Sequence, residues 1–213
     1  VPVVLSYLAI AKDSCIWFVQ EEALDDAVRA HLQANGIATR PYDSFYEYVK
    51  TISANETVLL DKGVVNYRII NSIPKEVRLG DETDPADLMK AIKNPVQLEN
   101  TRNAHIKDAV AMCKFMYWLK NNIGKIPMTE ISVSDHLAEL RAEQEGFLDL
   151  SFDTICGYAD HGAIVHYAAT PETDRPLEAK GLLLVDSGGH YLEGTTDITR
   201  TFVLGPITDE EKA

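Results

Sequence analysis

Two acidic residues inside strand-like apolar runs are the feature that most restricts how this chain folds. Residues 182–202, LLLVDSGGHYLEGTTDITRTF, carry Asp186 and Asp197 on either side of a glycine-containing turn. Apolar runs joined in this way favour an antiparallel hairpin. If the hairpin closes at Tyr191 and Leu192, Asp186 lies directly opposite Asp197. Like charges in this position destabilise a sheet, and near-buried carboxylates are costly, so the hairpin requires a compensating group between the acids.

Several explanations of the acidic pair are open. Arg200 follows Asp197 by three residues, so in a regular strand it points to the opposite face and is a poor partner for both acids. The acids can share a proton or a hydrogen bond, they can hold a divalent cation such as Mn²⁺ or Mg²⁺, or they can be exposed and unpaired. The turn glycines fit each explanation because they permit close approach of the backbone: Gly188, Gly189 and Gly194.

Histidines and acids near this hairpin are further candidates. His166, in GAIVHYAAT, follows an apolar run and is predicted on a strand that joins the same sheet. A satisfied core histidine is the simpler interpretation, whereas an approach to the acids would let it bind a substrate carbonyl or stabilise an oxyanion. His161 and His190 lie near turns, where we expect exposure to solvent. Asp153 and Asp160 are interpreted as a strand-end acid and a turn acid.

The charge and the cysteines restrict the partners and the compartment. The 213 residues include 33 acids and 20 bases, for a net charge of −13. Nucleic acids and anionic membranes need a basic surface, so we expect neither as a partner. The three cysteines, Cys15, Cys113 and Cys156, are far apart and odd in number, which argues against a disulfide framework or a C-x-x-C motif and favours a reducing compartment.

Both ends of the sequence fall inside predicted structural elements, as in a fragment of a longer chain. No apolar run approaches the roughly 18 residues that span a membrane, and no signal-peptide pattern is present. The sequence begins inside an apolar run at Val1, and it stops soon after Thr208, whose following acids are typical of a helix start. We therefore expect an internal piece of a longer protein, with an upstream targeting signal left open.

The first part of the chain alternates strand-like and helix-like segments. VVLSYLAIA and CIWFVQ flank a KDS turn like the strands of a hairpin, and EALDDAVRAHLQANG has helical apolar spacing. Further strands are predicted at GIATRPY, TVLLD and EVRLG, and further helices at DSFYEYVKTI and GVVNYRIINSI. This alternation favours an α/β architecture. Two X-Pro pairs, Asp84-Pro85 and Asn94-Pro95, mark a boundary that divides the chain into domains at residues 1–93 and 94–213.

The second part begins with two predicted helices. The first runs from about Leu98 to Asn121, and one apolar stripe along it is predicted to face the core: Ile106, Val110, Cys113 and Tyr117. SVSDHLAELRAEQ is the second helix, capped by Ser132, with His136 on its surface and three predicted core residues: Val133, Leu137 and Leu140. From Phe147 onward strands and glycine turns dominate. We expect two helices packed on an antiparallel, strongly curved sheet.

Three stretches resemble a known family. DSGGHYLEGTTDITRT, preceded by FDTICGYADHGAIVHY and RNAHIKDAVAMCKFMYWL, is similar to the Xaa-Pro aminopeptidases (aminopeptidase P), members of the pita-bread metallopeptidases that include prolidase, methionine aminopeptidase and creatinase. Residues 1–93 look more loosely like the middle domain of the three-domain type. The resemblance implies a fold that is α/β and α+β. A creatinase-like α/β middle domain is followed by an incomplete pita-bread catalytic domain, with helices on a curved antiparallel sheet.

The resemblance also implies a set of site residues. In that family two divalent metal ions are held by two Asp, one His and two Glu. The two Asp correspond to Asp186 and Asp197, and the His and both Glu are expected beyond residue 213. His166 corresponds to the substrate-binding and catalytic histidine. The implied cofactors are two Mn²⁺ ions, with Zn²⁺ and Co²⁺ as alternatives.

The implied reaction is removal of the N-terminal residue from peptides with proline in second position. A metal-bridging hydroxide would attack the carbonyl, and the metals and His166 would stabilise the tetrahedral oxyanion. The resemblance further implies a cytoplasmic homodimer as the intact protein. With two of five ligands, this piece alone is expected to bind metal weakly or not at all and to be inactive.

Two departures from the family and two rival functions accompany this interpretation. His161 stands where Asn is expected, and Gly189-His190 where Ala-Gln is usual; both are turn changes that leave the metal ligands intact. A prolidase or creatinase-like relative would share the acids and His166 but differ in substrate. The second rival is not an enzyme: it is a peptidase-like module that lacks metal and binds a protein partner.

Overall fold

The chain folds into two compact units. The computed structural model describes residues 3–212, and their contacts separate a unit that ends at Ile92 from a unit that begins at Lys93. The units are built differently, because the sequence pattern changes from alternating strands and helices to two helices followed by strands.

The first unit alternates strands with helices. Its strands are β1 (Ser6–Ala11), β2 (Ser14–Val19), β3 (Ile37–Pro41), β4 (Thr57–Leu60) and β5 (Arg78–Asp81), and its helices are α1 (Asp26–Ala34), α2 (Ser44–Val49), α3 (Tyr67–Ser72) and α4 (Pro85–Ala91). β1 pairs antiparallel with β2, as predicted, and β2 pairs parallel with β3. β4 and β5 form a second, parallel pair. This unit is therefore an α/β layer structure.

Local signals place the helices of this unit. Asp25 is extended and its carboxylate accepts the Val28 N–H at 2.8 Å, which satisfies a free donor in the first turn of α1. The Asp84 carboxylate likewise accepts the Ala86 N–H in the first turn of α4, whose first residue is Pro85. Proline suits this position because its missing N–H would have no helical partner there.

The second unit places two helices before an antiparallel strand region. Its helices are α5 (Pro95–Asn122), α6 (Glu130–Ala142) and α7 (Asp209–Lys212), and its strands are β6 (Phe147–Leu150), β7 (Ile155–Tyr158), β8 (Leu182–Ser187), β9 (Gly189–Tyr191), β10 (Gly194–Thr195) and β11 (Ile198–Val203). The strands form two three-stranded sheets, β10-β9-β6 and β11-β8-β7, with antiparallel pairing throughout. β8 and β9 are separated by one residue, Gly188, so the chain passes directly from one sheet to the other.

The core of this unit differs from the predicted one at α5. The predicted stripe faces outward: Ile106 is 63% exposed and Tyr117 75%, and Val110 and Cys113 are also exposed. The buried side of α5 carries a mixture of residues instead, namely Ala104, Asp108, Ala111, Met112, Phe115 and Leu119. The prediction is wrong because α5 has apolar residues on both sides. The buried side also carries Asp108, and a charged residue argues against a core face when only the sequence is known.

Helix α6 follows its prediction apart from its cap and His136. Val133, Leu137 and Leu140 are buried, as predicted. The N-cap is Thr129 rather than Ser132, because the two residues form a reciprocal capping box in which Ser132 occupies the third helical position. His136 is half-buried, since its ring packs 4.0 Å from that of Trp118 on α5.

Candidate metal and peptide site

The hairpin that carries the two acids turns one residue later than predicted. β9 and β10 pair Tyr191 with Gly194, and β8 and β11 pair Asp186 with Thr199. The turn falls later because Tyr191 is buried and its hydroxyl donates to Asp108 at 2.9 Å, which keeps it in the strand. Asp197, two residues before Thr199, is thus a diagonal neighbour of Asp186. A shift of two in the pairing leaves the sides of the strands unchanged, so both acids stay on one face.

Both acids line one open cavity of about 440 Å³. Its lining residues are Phe152, Asp153, Ile155, His166, Ala168, Asp186 and Asp197. Asp197 is exposed, whereas Asp186 is half-buried and its Oδ1 is fully buried without a hydrogen-bond partner in residues 3–212. A buried carboxylate oxygen that lacks a donor is costly unless a ligand compensates it. Hard divalent cations prefer such oxygen ligands, so the pair fits a metal ion.

Within the described part of the chain the two acids are an incomplete ligand set. No group of three or more His, Cys, Asp or Glu side chains lies close enough to hold a metal ion in residues 3–212. Arg200 does not supply the missing compensation. It pairs with Val185 across the sheet, on the other face from the acids, and its guanidinium donates to its own neighbour, the Thr199 carbonyl, at 2.7 Å.

A glycine and two hydroxyls hold the acidic segments together. A Cβ on Gly188 would lie 2.0 Å from the Thr196 carbonyl oxygen, so only glycine permits this approach of two backbones. The Ser151 hydroxyl donates to the same carbonyl at 2.9 Å, and the Thr196 hydroxyl accepts the Gly189 N–H at 2.9 Å. These bonds hold together the end of β8, which carries Asp186, and the segment before β11, which carries Asp197.

His166 reaches the cavity from a turn and not from a strand, so its predicted placement is wrong. It follows a short 3-10 turn at Ala159–Ala163 and adopts a φ of 57°, in the left-handed region. The turn packs against β7, where a Cβ on Gly157 would meet Gly162 N at 2.7 Å. Ile164 and Val165, which suggested a strand, are 53% and 83% exposed. The apolar run is therefore part of the exposed loop that carries His166.

Of the other candidate residues, His190 differs from its prediction and Asp160 agrees with it. His190 is buried, with its Nδ1 2.8 Å from the Thr195 hydroxyl, because β9 is paired on both sides. Asp160 is exposed, as predicted, and an ion pair with Arg175 lowers the pKa of its carboxyl. Asp153 is exposed at the rim of the cavity. Cys156 is buried, and burial raises the pKa of its thiol to about 12, so it is not a nucleophile at neutral pH.

A second group of polar side chains, centred on a buried carboxylate, was not predicted from the sequence. His161, expected in solvent, has only 14% of its side chain exposed and contacts the fully buried carboxylate of Glu130. Tyr167 also contacts this carboxylate. The only local signal is an acid directly after the cap Thr129, and such an acid is normally interpreted as a favourable charge at a helix N-terminus.

Membrane association through a spanning helix finds no support in residues 3–212. Within that range no helix has both the length and the apolar character needed to cross a membrane.

The fold and the site together define a class of protein in which two helices precede an antiparallel strand region and two acids line an open cavity beside it. The chain belongs to metallopeptidase family M24, whose family profile matches residues 99–213. The Creatinase/Prolidase N-terminal domain matches residues 1–97. These matches confirm the predicted family resemblance.

Named relatives agree with the family assignment. The chain is 33% identical over 241 residues to aminopeptidase P2 of Arabidopsis thaliana and 36% identical over 214 residues to Xaa-Pro aminopeptidase 1 of Dictyostelium discoideum. Each match covers 99% of this chain and 34% of the relative. The chain thus spans about a third of the length of the curated relatives it matches.

Solved structures confirm the predicted fold class. The X-prolyl aminopeptidase of Caenorhabditis elegans, described as a cytosolic enzyme with a di-nuclear active site, superposes with a TM-score of 0.89 at 32% identity and covers 98% of this chain and 35% of its own. The X-Pro aminopeptidase of Thermotoga maritima shares the fold with a TM-score of 0.69 at 20% identity, over 96% of this chain and 55% of its own.

Proposed function

We propose that this chain is part of a metal-dependent aminopeptidase that removes the N-terminal residue from peptides with proline in second position. One observation carries the proposal: Oδ1 of Asp186 is buried with no donor from the described residues, beside Asp197, in a cavity that His166 also lines. The substrate class is supported by the names of the relatives in Arabidopsis and Dictyostelium.

Asp186 and Asp197 would hold two divalent cations, for which we propose Mn²⁺, with Zn²⁺ and Co²⁺ as alternatives. When bound, two such cations activate a water molecule as the nucleophile and polarise the scissile carbonyl. The two acids would supply negative charge to the cations and determine where the cations bind. Asp186 lies on β8 and Asp197 directly before β11, and the backbone contacts at Gly188 and Thr196 hold these two segments together.

His166 would contact the substrate. Its side chain lines the cavity of the two acids and is exposed, so it is accessible to a peptide that enters the cavity. An imidazole N–H in this place donates a hydrogen bond to the carbonyl oxygen as negative charge develops there. His166 therefore acts both in substrate binding and in catalysis.

The remaining ligands would come from outside the chain. Residues 3–212 supply no third ligand for the pair. We place a His and two Glu beyond residue 213 and assign residues 1–93 to a middle creatinase-like domain and 94–213 to the first half of the catalytic domain. The chain alone would bind metal weakly or not at all and have no peptidase activity.

The intact protein would be a cytoplasmic homodimer that acts on peptides. A net charge of −13 supports the absence of nucleic acid and anionic membranes among its partners.

Peptidase assays test this function. The protein to be assayed is the chain extended at its C-terminal end by the following residues of its gene, hereafter the extended protein. With Mn²⁺ it should release the N-terminal residue from a tripeptide with proline second, and not from its alanine-second analogue. Asp186→Asn and Asp197→Asn should each reduce kcat/KM at least about 100-fold. Asp209→Asn, whose side chain is 99% exposed, is the matched control and should stay near wild type.

Three outcomes separate the alternatives. Cleavage of dipeptides only would favour a prolidase-like enzyme over an aminopeptidase. Full activity in both Asp variants, or no cleavage of any X-Pro peptide by the extended protein, would overturn the proposal.

A further inference from the structure

Glu130, the first residue of α6, has a fully buried carboxylate that accepts hydrogen bonds from four residues. Two are backbone donors, the Tyr158 N–H at 2.8 Å and the Arg175 N–H at 3.2 Å. Two are side chains, Nδ1 of His161 at 2.9 Å and the Tyr167 hydroxyl at 3.0 Å. A buried carboxylate is costly without donors, so this one is well compensated.

The contacts of His161 determine which of its nitrogens carries the proton. Nε2 lies 3.0 Å from Nη2 of Arg175, and a guanidinium nitrogen can only donate, so Nε2 accepts. Nδ1 must then carry the hydrogen, which it donates to the Glu130 carboxylate. Burial, and to a smaller extent Glu130, raise the pKa of Tyr167, so its hydroxyl stays protonated and donates as well. Both side chains therefore donate to a single carboxylate.

These two donors stand at the two ends of the loop that carries His166. Within residues 161–167 the Ile164 N–H donates to the His161 carbonyl at 3.1 Å, and the Tyr167 N–H donates to the Ile164 carbonyl at 3.2 Å. The rings of His161 and Tyr167 also pack on each other, with centroids 4.4 Å apart. Glu130 thus joins the two ends of the loop, because its carboxylate bonds both His161 and Tyr167.

The loop needs such support because of the backbone at His166. A φ of 57° in a residue with a Cβ is unfavourable and persists only where surrounding contacts determine it. Ile164, Val165 and His166 are exposed, so packing of their side chains does little to hold the backbone conformation of His166. The contacts that hold it come from His161 and Tyr167 at the two ends of the loop.

We propose that Glu130 is a positioning residue that holds both ends of the loop of residues 161–167 and thereby keeps His166 at the carboxylate pair. His161 and Tyr167 transmit this effect. The proposal rests on the proposed function only for the role of His166 in catalysis. The closure of the loop by Glu130 is a separate statement that is measured without substrate or metal.

Two matched tyrosine variants test the closure. Tyr167→Phe removes the hydroxyl that bonds Glu130 and that also lies 3.3 Å from the Thr173 hydroxyl and carbonyl oxygen. Tyr158→Phe removes a buried hydroxyl that donates instead to the Lys180 carbonyl at 3.0 Å. In amide hydrogen exchange, Tyr167→Phe should speed exchange of the Ile164 and Tyr167 amides about tenfold, the equivalent of one lost hydrogen bond. Tyr158→Phe should leave these two amides unchanged. Equal exchange in the two variants would overturn the closure.

Histidine variants separate the two ring contacts. An Asn side chain places its amide nitrogen where Nδ1 of His161 lies, so His161→Asn keeps the donor to Glu130 and should keep the slow exchange of the loop amides. His161→Ala removes the donor and should match Tyr167→Phe. If the loop amides exchange as fast in His161→Asn as in His161→Ala, the contact with Glu130 is not what closes the loop.

A double-mutant cycle in the extended protein tests the link to catalysis. Tyr167→Phe should lower kcat/KM about tenfold, because the contact of His166 with the substrate is weakened. In the His166→Ala background the same change should have no further effect, since it acts through His166. An additive loss would overturn the positioning role. If His166→Ala itself leaves kcat/KM unchanged, the proposed catalytic role of His166 fails, while the exchange result on the loop stands.

Discussion

Two aspartates in the second unit, Asp108 and Asp186, differ in how their charge is compensated. Asp108 is 1% exposed and receives three donors: Nε of Arg141 at 2.7 Å, Nη2 of Arg141 at 3.1 Å and the Tyr191 hydroxyl at 2.9 Å. Asp186 has a buried Oδ1 for which no residue between 3 and 212 supplies a donor. The same side chain is therefore satisfied by the fold at one place and left unsatisfied at the other.

This difference separates the structural role of Asp108 from the ligand-binding role proposed for Asp186. The Asp108 pair joins α5 to α6 and, through Tyr191, to the hairpin that carries the acids of the site. It thereby supports the geometry in which Asp186 is left without a donor. The comparison leads us to expect that loss of charge at Asp108 damages the fold, whereas loss of charge at Asp186 damages only what the site binds.

The largest expected effect is that of Asp108→Asn. It removes the charge that compensates Arg141, which is 0% exposed, and an uncompensated buried charge costs about 3–5 kcal/mol. Denaturant unfolding of the chain should show a loss of that size in the free energy of unfolding.

The control for this prediction uses an ion pair between the same two helical segments. Lys114 on α5 pairs with Glu143 at 2.6 Å, but 48% and 55% of the two side chains are exposed. Lys114→Ala should therefore cost less than about 1 kcal/mol. Equal losses in the two variants would remove the distinction between buried and exposed pairs on which the comparison depends.

The second prediction concerns the backbone contact that positions the acids. Gly188→Ala would push a Cβ against the Thr196 carbonyl and the Ser151 hydroxyl, and we expect a loss of about 2 kcal/mol in the free energy of unfolding. Gly194→Ala in the same hairpin is the control, because its Cβ would meet nothing closer than 3.7 Å. A tolerated Gly188→Ala would mean that the two segments can separate, and the site would then not be fixed by its backbone.

Most of the fold could be predicted because its signals are local. The β1-β2 hairpin, helix α1 and the apolar face of α6 each follow from residues close in sequence. The core face of α5 could not be predicted in this way. It contains Asp108, whose partner Arg141 lies 33 positions further along, and no local pattern shows that this charge is compensated.

Three residues singled out in the sequence, Asp186, Asp197 and His166, line one cavity, but their geometry was not predicted. The runs around Asp186 and Asp197 indicated a hairpin, but the buried bond of Tyr191 to Asp108 moved the turn. The β-branched run before His166 favoured a strand, yet the close packing of Gly157 on Gly162 turns the chain there. Glu130 was missed because its donors come from separate segments of the chain. Long-range partners decide each of these points.

The third prediction tests the link between the structural pair and the hairpin. Tyr191→Phe removes one of the three donors to Asp108 and leaves the two from Arg141, so the carboxylate is still compensated. We expect a loss of about 1 kcal/mol in the free energy of unfolding. Denaturant unfolding measures it. A loss as large as that of Asp108→Asn would mean that Tyr191, and not Arg141, is the main partner of Asp108.

The smallest effect on stability is expected at Asp186, where the change is chemically the same as at Asp108. Asp186→Asn removes a charge that lacks a donor in the described range and that lies diagonal to Asp197, so repulsion within the hairpin falls. The free energy of unfolding of the metal-free protein should change by less than about 0.5 kcal/mol. Mn²⁺ should raise the melting temperature of the extended protein, since a ligand that binds only the folded state stabilises it, and Asp186→Asn should abolish that shift. A large loss of stability without metal would contradict the comparison, because it would give Asp186 the structural role of Asp108.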